Sequence, residues 1–232
     1  MDFDNSSRIL IIAAHPDDEV LAMGGTIALA KSLGATVVVK FLGEGVSARF
    51  TLPELKNDEF ARQSEIRVAG AKNALAVLDV DEVIFGSRLC CRFDEVSSLE
   101  VVKDIEETIV KFDPTHIFTH NSAEVNIDHR ITYKCVEAAV RPRPGIRLSG
   151  IYGFEIVCSG NWTFSDQFKP TTFVNIQDYW VTKIDAWHCY VGEERPFPFP
   201  RSVEGLETLA KFRGMQCGLR LAEGFCVFRE TV

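Results

Sequence analysis

The chain has 232 residues, 46% of them hydrophobic and 25% charged, with a formal net charge of −8. That length accommodates one larger α/β domain with a sizeable core, and the composition is far from a disordered one. The acidic balance excludes nucleic acid or an anionic membrane surface as the main partner. The opening MDFDNSSR lacks the basic-then-apolar pattern of a signal segment. No apolar run nears the roughly 20 residues of a bilayer span, so a cytoplasmic location is expected. The seven cysteines, at 90, 91, 135, 158, 189, 217 and 226, are an odd set without a CxxC pair. Cys90 and Cys91 are poorly placed for an ordinary bridge to each other, and all seven read as reduced thiols.

In chain order, RILIIAA (8–14) is a continuous apolar run of the kind buried on both faces of a parallel sheet. VLAMGGTIALAKSLG has helical spacing and stops at Gly34. ATVVVKFL (35–42) is the second strand, and a loop through GEGVSARFTLPELK leads to an amphipathic helix at about 58–78. DEVIFG is the third strand, SSLEVVKDIEETIVKF a helix and THIFTH (115–120) the fourth strand. A helix from Asp128 to Val140 follows, and RPRPG breaks it. SGIYGFEI and TTFVNI read as later strands, 178–191 and 202–216 as helices, and GFCVFRE as the last strand. This alternation predicts a Rossmann-like, doubly wound α/β fold, with a mostly parallel sheet and helices on both faces. A single domain over 1–232 is expected, with a core at about 6–145 and a C-terminal, substrate-shaping part at about 146–232.

A dinucleotide-binding sheet would place a glycine-rich turn after its first strand. Here the turn is HPDDE, whose carboxylates repel a pyrophosphate, and GEG after strand two lacks the rest of that fingerprint. Three neighbouring acids can sit harmlessly in the first turn of a helix. The sharper reading is a metal site, with His15 and one acid as ligands and a second acid handling protons. Its test is a further ligand elsewhere on the rim where strands end. His120 ends strand four, and the NIDH sequence brings Asp128 and His129 to the same rim. Two histidines and a carboxylate suit catalytic zinc with an open position, and the same set also suits ferrous iron.

AHPDDE (14–19) after a buried first strand, with NIDHR at 126–130, resembles the LmbE/PIG-L family of zinc-dependent N-acetylglucosamine deacetylases. RQSEIRVAGAKNALAVL and PRSVEGLETLAKFRG extend the resemblance over most of the chain. It implies that His15, Asp18 and His129 bind zinc and that Asp17 is the general base toward the water the metal activates. Asp128 would orient an imidazole. The substrate implied is a small amino sugar or its conjugate, with acetate as co-product. Arg62 and Glu65 resemble the family's RxxE segment. Arg62, Arg49 and His120 are candidate substrate-binding residues, the arginines serving a nucleotide-, phosphate- or lipid-linked portion. An exposed helix arginine for Arg62, an exposed loop arginine for Arg49 and a hydrogen-bonded strand-end histidine for His120 are the plain alternatives.

One departure stands out: family members often carry a histidine where this chain has Asn126. Asparagine can donate to an oxyanion but cannot titrate. Protonated Asp17 or His120 would then serve the leaving amine. Asn126 also keeps open a non-catalytic, N-acetyl-sugar-binding relative, and the ligand set keeps open a ferrous-iron oxygenase. Glu19 should hydrogen-bond the loop. His116 and His188 read as structural, and Trp162, Phe197 and Phe199 as loop anchors or a sugar-stacking wall.

Overall fold

The computed structural model describes residues 1–231 except 144, 146 and 165. Pro144 of the expected breaker, and residue 146 where the C-terminal part was expected to begin, lie outside the described residues. Seven strands form one sheet in the order β3-β2-β1-β4-β5-β7-β6. They are β1 (Arg8–Ala13), β2 (Thr36–Gly43), β3 (Glu82–Arg88), β4 (His116–His120), β5 (Gly150–Phe154), β6 (Thr172–Asn175) and β7 (Ala222–Glu230). The helices are α1 (Asp18–Ser32), α2 (Asp58–Val77), α3 (Ser98–Phe112), α4 (Ile127–Ala139), α5 (Trp180–His188) and α6 (Val203–Met215).

β1 shows why an unbroken apolar run is the right sequence for a central strand. Successive side chains leave a strand on opposite faces. Ile9, Ile11 and Ala13 accordingly enter one core, with α1, α2, α5 and α6, while Leu10, Ile12 and Ala14 enter the other, with α3 and α4. Both faces are dry, so neither tolerates a polar position. β1 pairs in parallel with β2 and β4, placing its carboxyl end at the middle of the rim. The sheet is parallel from β3 to β5, but β7 runs antiparallel to both β5 and β6. The mostly parallel Rossmann-like expectation therefore holds, with an antiparallel edge added by the C-terminal part.

α1 begins two residues earlier than the helical spacing suggested, which puts Asp18 and Glu19 in its first turn. It is interrupted at Met23, where φ is −149°. The buried Glu223 carboxylate accepts from the backbone N–H groups of Gly25 (3.0 Å) and Thr26 (2.7 Å), capping the restarted half. Lys183 neutralises Glu223 at 2.6 Å and donates to the Leu21 carbonyl, which ends the first half. A side chain at Gly25 would meet Ile176 at 2.7 Å, so close packing under the kink demands glycine.

Candidate active site

The turn after β1 is built by its own backbone. The His15 N–H donates to Asp18 Oδ2 (2.9 Å), and the Asp17 carbonyl accepts from Leu21 N–H (3.0 Å). Asp17 has φ 121°, a conformation costing about 1–3 kcal/mol that surroundings must impose. Arg67 imposes it from α2, donating through Nη1 to the Pro16 carbonyl (2.8 Å) and Asp17 Oδ2 (2.9 Å). Arg201 donates to the same Oδ2 at 3.0 Å. Glu19 accepts from the Asp17 N–H (3.1 Å) and the Tyr190 hydroxyl (2.5 Å), the loop role its position suggested. Gly45, at φ 79°, lets the loop after β2 lie against His15 and Pro16, where a Cβ would be 3.1 Å from the proline ring.

His15, Asp18 and His129 present ligand atoms that all lie within 4.8 Å of one another, and all three are buried. Asp18 Oδ1 is 3.4 Å from His129 Nε2, and Asp18 Oδ2 is 3.8 Å from His15 Nδ1. Oδ1 is buried without a hydrogen-bond partner, which water-free burial penalises unless a cation meets it. His15 is also anchored at its far nitrogen, Nε2, by Asp128 Oδ2 (2.8 Å), whereas Glu124 Oε2 lies 3.1 Å from His129 Nδ1 without hydrogen-bond geometry, both atoms buried and unpartnered. Carboxylates in this position orient metal-binding imidazoles and raise their basicity. The donor set thus fits a divalent cation of the zinc or ferrous type.

The electrostatics follow from burial and crowding. Burial alone would raise the Asp18 carboxyl, but His129, His120 and His15 hold it well below the usual carboxylate range. Burial pushes Asp17 upward, opposed by Arg201 and Arg67, and the net displacement is still upward. Burial lowers His129 to about 4 and, with His129 beside it, His120 to about 4. For His15, burial lowers the imidazole, but its bond to Asp128 and the Asp18 charge reverse the sign. Burial lifts Glu19 to about 8 and Glu124 to about 7.

The remaining sequence-selected residues fall in different places. Asp128 is buried, accepting from Cys91 N–H (2.5 Å) and Phe93 N–H (3.0 Å) as well as facing His15. Asn126 is the N-cap of α4, its carboxamide oxygen accepting from Asp128 N–H (2.9 Å), so only its amide N–H groups remain for a substrate. His120 is fully buried: Nε2 accepts from Ala14 N–H (2.9 Å), and the ring stacks on His129 at 4.0 Å. β4 pairs with β1, which brings the ring beside His129. Arg49 and Arg62 border a cavity of about 220 Å³, in which Arg49 pairs with Glu193 (2.6 Å) and Arg62 with Glu59 (2.7 Å).

Arg67, Arg201, Glu193 and Glu124 were not singled out from sequence. Glu193 is buried and ion-pairs with Arg67 as well as Arg49, with Arg201 3.7 Å away, so both arginines on Asp17 share one counter-charge. Arg67 had a signal that could have found it, a charged residue on the buried face of α2, whereas Arg201 and Glu193 sit in irregular chain. His116 is buried against Thr115 and Tyr152, and His188 is exposed beside Glu194. Trp162 and Phe199 are exposed, edge to face at 6.3 Å, and Phe197 is exposed too.

A Rossmann-like sheet brings to one rim a buried His-Asp-His group that could hold a divalent cation, with a further carboxylate beside it. Residues 10–140 match the family model described as PIG-L: GlcNAc-PI de-N-acetylase, and the chain belongs to that family. A 1D-myo-inositol 2-acetamido-2-deoxy-alpha-D-glucopyranoside deacetylase of Catenulispora acidiphila is 37% identical over 89 residues, 37% of this chain and 28% of that protein. The match therefore spans well under half the length of this relative. Diacetylchitobiose deacetylase of Thermococcus kodakarensis is 27% identical over 96% of this chain and 83% of its own. Among solved structures, N,N'-diacetylchitobiose deacetylase of Pyrococcus horikoshii superposes with TM-score 0.77 and 22% identity, covering 96% of this chain and 84% of that one. GalB, the 4-carboxy-2-hydroxymuconate hydratase of Pseudomonas putida, superposes equally well (TM-score 0.77, 21% identity, 97% of this chain and 98% of that one). The fold is thus common to deacetylases and a hydratase, and the reaction has to be argued from the site. Among the described residues no helix is long and apolar enough to cross a membrane.

Proposed function

We propose that this protein is a metal-dependent hydrolase, with zinc the cation its donors suit best, that removes an N-acetyl or other short acyl group from an amino sugar or its conjugate. The observation that carries the reading is the convergence of His15, Asp18 and His129, with Asp17 beside them on the same turn. His15, Asp18 and His129 would hold a divalent cation, which would supply Lewis-acid polarisation of the amide carbonyl and a more acidic water. Asp17 takes the proton from the attacking water, since its oxygen is fixed by Arg67 and Arg201 and its basicity is raised by burial. Asp17 then returns that proton to the nitrogen of the breaking amide, because Asn126 cannot titrate and His120 Nε2 is committed to the Ala14 N–H. Asn126 donates an amide hydrogen toward the oxyanion.

The C-terminal part shapes this site by contributing Glu193 and Arg201. Arg49 and Arg62, on the neighbouring cavity, bind the substrate beyond its acetamido sugar, and Trp162 and Phe199 stack on sugar faces. The test is amine release from N-acetylglucosamine, diacetylchitobiose and inositol-linked N-acetylglucosamine, with and without chelator. Release that stops with chelator and returns with zinc is expected. Binding of these sugars to the zinc-loaded protein without any amine release would instead establish the non-catalytic reading that Asn126 keeps open.

A further inference from the structure

The geometry points to Cys90 and Cys91 as a reversible oxidation site, a disulfide between sequence neighbours whose closure disturbs the carboxylate that orients His15. The two Sγ atoms are 3.9 Å apart, Cys90 buried and Cys91 exposed, and both thiols are free. Cys91 already has φ 59°, an unusual conformation for a residue with a side chain. The N–H of the peptide joining the two cysteines donates to Asp128 Oδ2 at 2.5 Å, and the same oxygen faces His15 Nε2 at 2.8 Å. Cys90 Sγ itself lies within 4.8 Å of ligand-type atoms of both His15 and Asp128. One amide therefore belongs both to the ring that oxidation would close and to the support of His15.

Neighbouring residues have Cα atoms about 3.8 Å apart, shorter than the roughly 4.4–6.8 Å of relaxed disulfides. A bond here is strained and easily reduced, which suits a reversible modification rather than a structural staple. The chemistry needs a peroxide as oxidant. The exposed Cys91 thiolate attacks the peroxide O–O bond, giving a sulfenic acid and hydroxide. The Cys90 sulfur then attacks Cys91 sulfur, forming S–S as the S–O bond breaks, and water leaves with the Cys90 proton. Two thiol hydrogens and one peroxide become one disulfide and two waters. Closing the sulfurs from 3.9 Å to about 2.05 Å twists the shared peptide and draws its N–H off Asp128.

The experiment treats the zinc-loaded full chain with hydrogen peroxide, alkylates remaining thiols and digests with trypsin. Cleavage after Arg88 and Arg92 isolates the peptide Leu-Cys-Cys-Arg, residues 89–92. The expected product is this peptide lighter by two hydrogens and unalkylated, taking two alkyl groups after dithiothreitol. Zinc affinity and amine release should fall about 10- to 100-fold and return on reduction, the range seen when a metal ligand loses its hydrogen-bonded support. For Cys90→Ala, each property after peroxide should match that variant's own untreated value. A peptide that keeps both thiols or only gains oxygen overturns the site. A disulfide that forms with zinc affinity unchanged, or an equal loss in Cys90→Ala, overturns the link to His15. The amine-release arm rests on the proposed hydrolysis, whereas peptide mass and zinc affinity do not, so absence of turnover in the reduced protein would fail only that earlier reading.

Discussion

Two stretches of chain meet at Asp17 and hold it by different means. Residues 14–19 position it from within: a strand end, a proline, a left-handed aspartate and the first turn of α1 place the proposed base and donors by backbone geometry, all of it buried. Residues 190–201 reach it from irregular chain through long side chains, with Arg201 on its carboxylate and Glu193 on the arginines. The first stretch decides whether there is a site, because a ligand displaced by its backbone is lost. The second tunes charge, because a guanidinium can move without moving the donors.

Single substitutions separate these contributions. The largest effect is expected for His129→Ala, which should lose both bound metal, measured by elemental analysis of the dialysed protein, and all amine release. Asp17→Asn should keep its metal yet lose about 10²- to 10⁴-fold in rate, the usual worth of positioned acid–base catalysis; a variant with native rate would remove Asp17 from the reaction. Glu124→Gln should weaken metal binding by about 10- to 100-fold in a chelator competition, since His129 Nδ1 loses the carboxylate that lies 3.1 Å from it. Arg201→Met should be the mildest, retaining metal and showing its change in the pH–rate profile. Arg201 lowers the Asp17 carboxyl, so its loss raises that group further, and the acid limb must move to higher pH. An unmoved limb would mean that the 190–201 stretch does not set the protonation of the base.

How much of this was readable beforehand depended on the range of the interaction. β1 announced itself because a strand dry on both faces cannot alternate, and α2 and α3 because one helical face must be apolar. The kink at Met23 and the antiparallel β7 were hidden, since both depend on contacts such as Glu223 with Gly25 and Thr26, which no local pattern encodes. For His120 the position at a strand end was legible, but the hydrogen bond its ring accepts from Ala14 depended on the packing of β4 beside β1.

By itself the sequence determined the strand and helix alternation and the two strand ends that carry the histidines and acids, because these arise from side-chain period and from residues a few positions apart. Tertiary structure alone decided which carboxylate backs which histidine and that Arg67 and Arg201, the latter 184 positions from Asp17, share its oxygen. Ion pairs between long side chains carry no periodicity and tolerate many chain paths. They become definite only when the core has fixed the distance between the backbones that bear them.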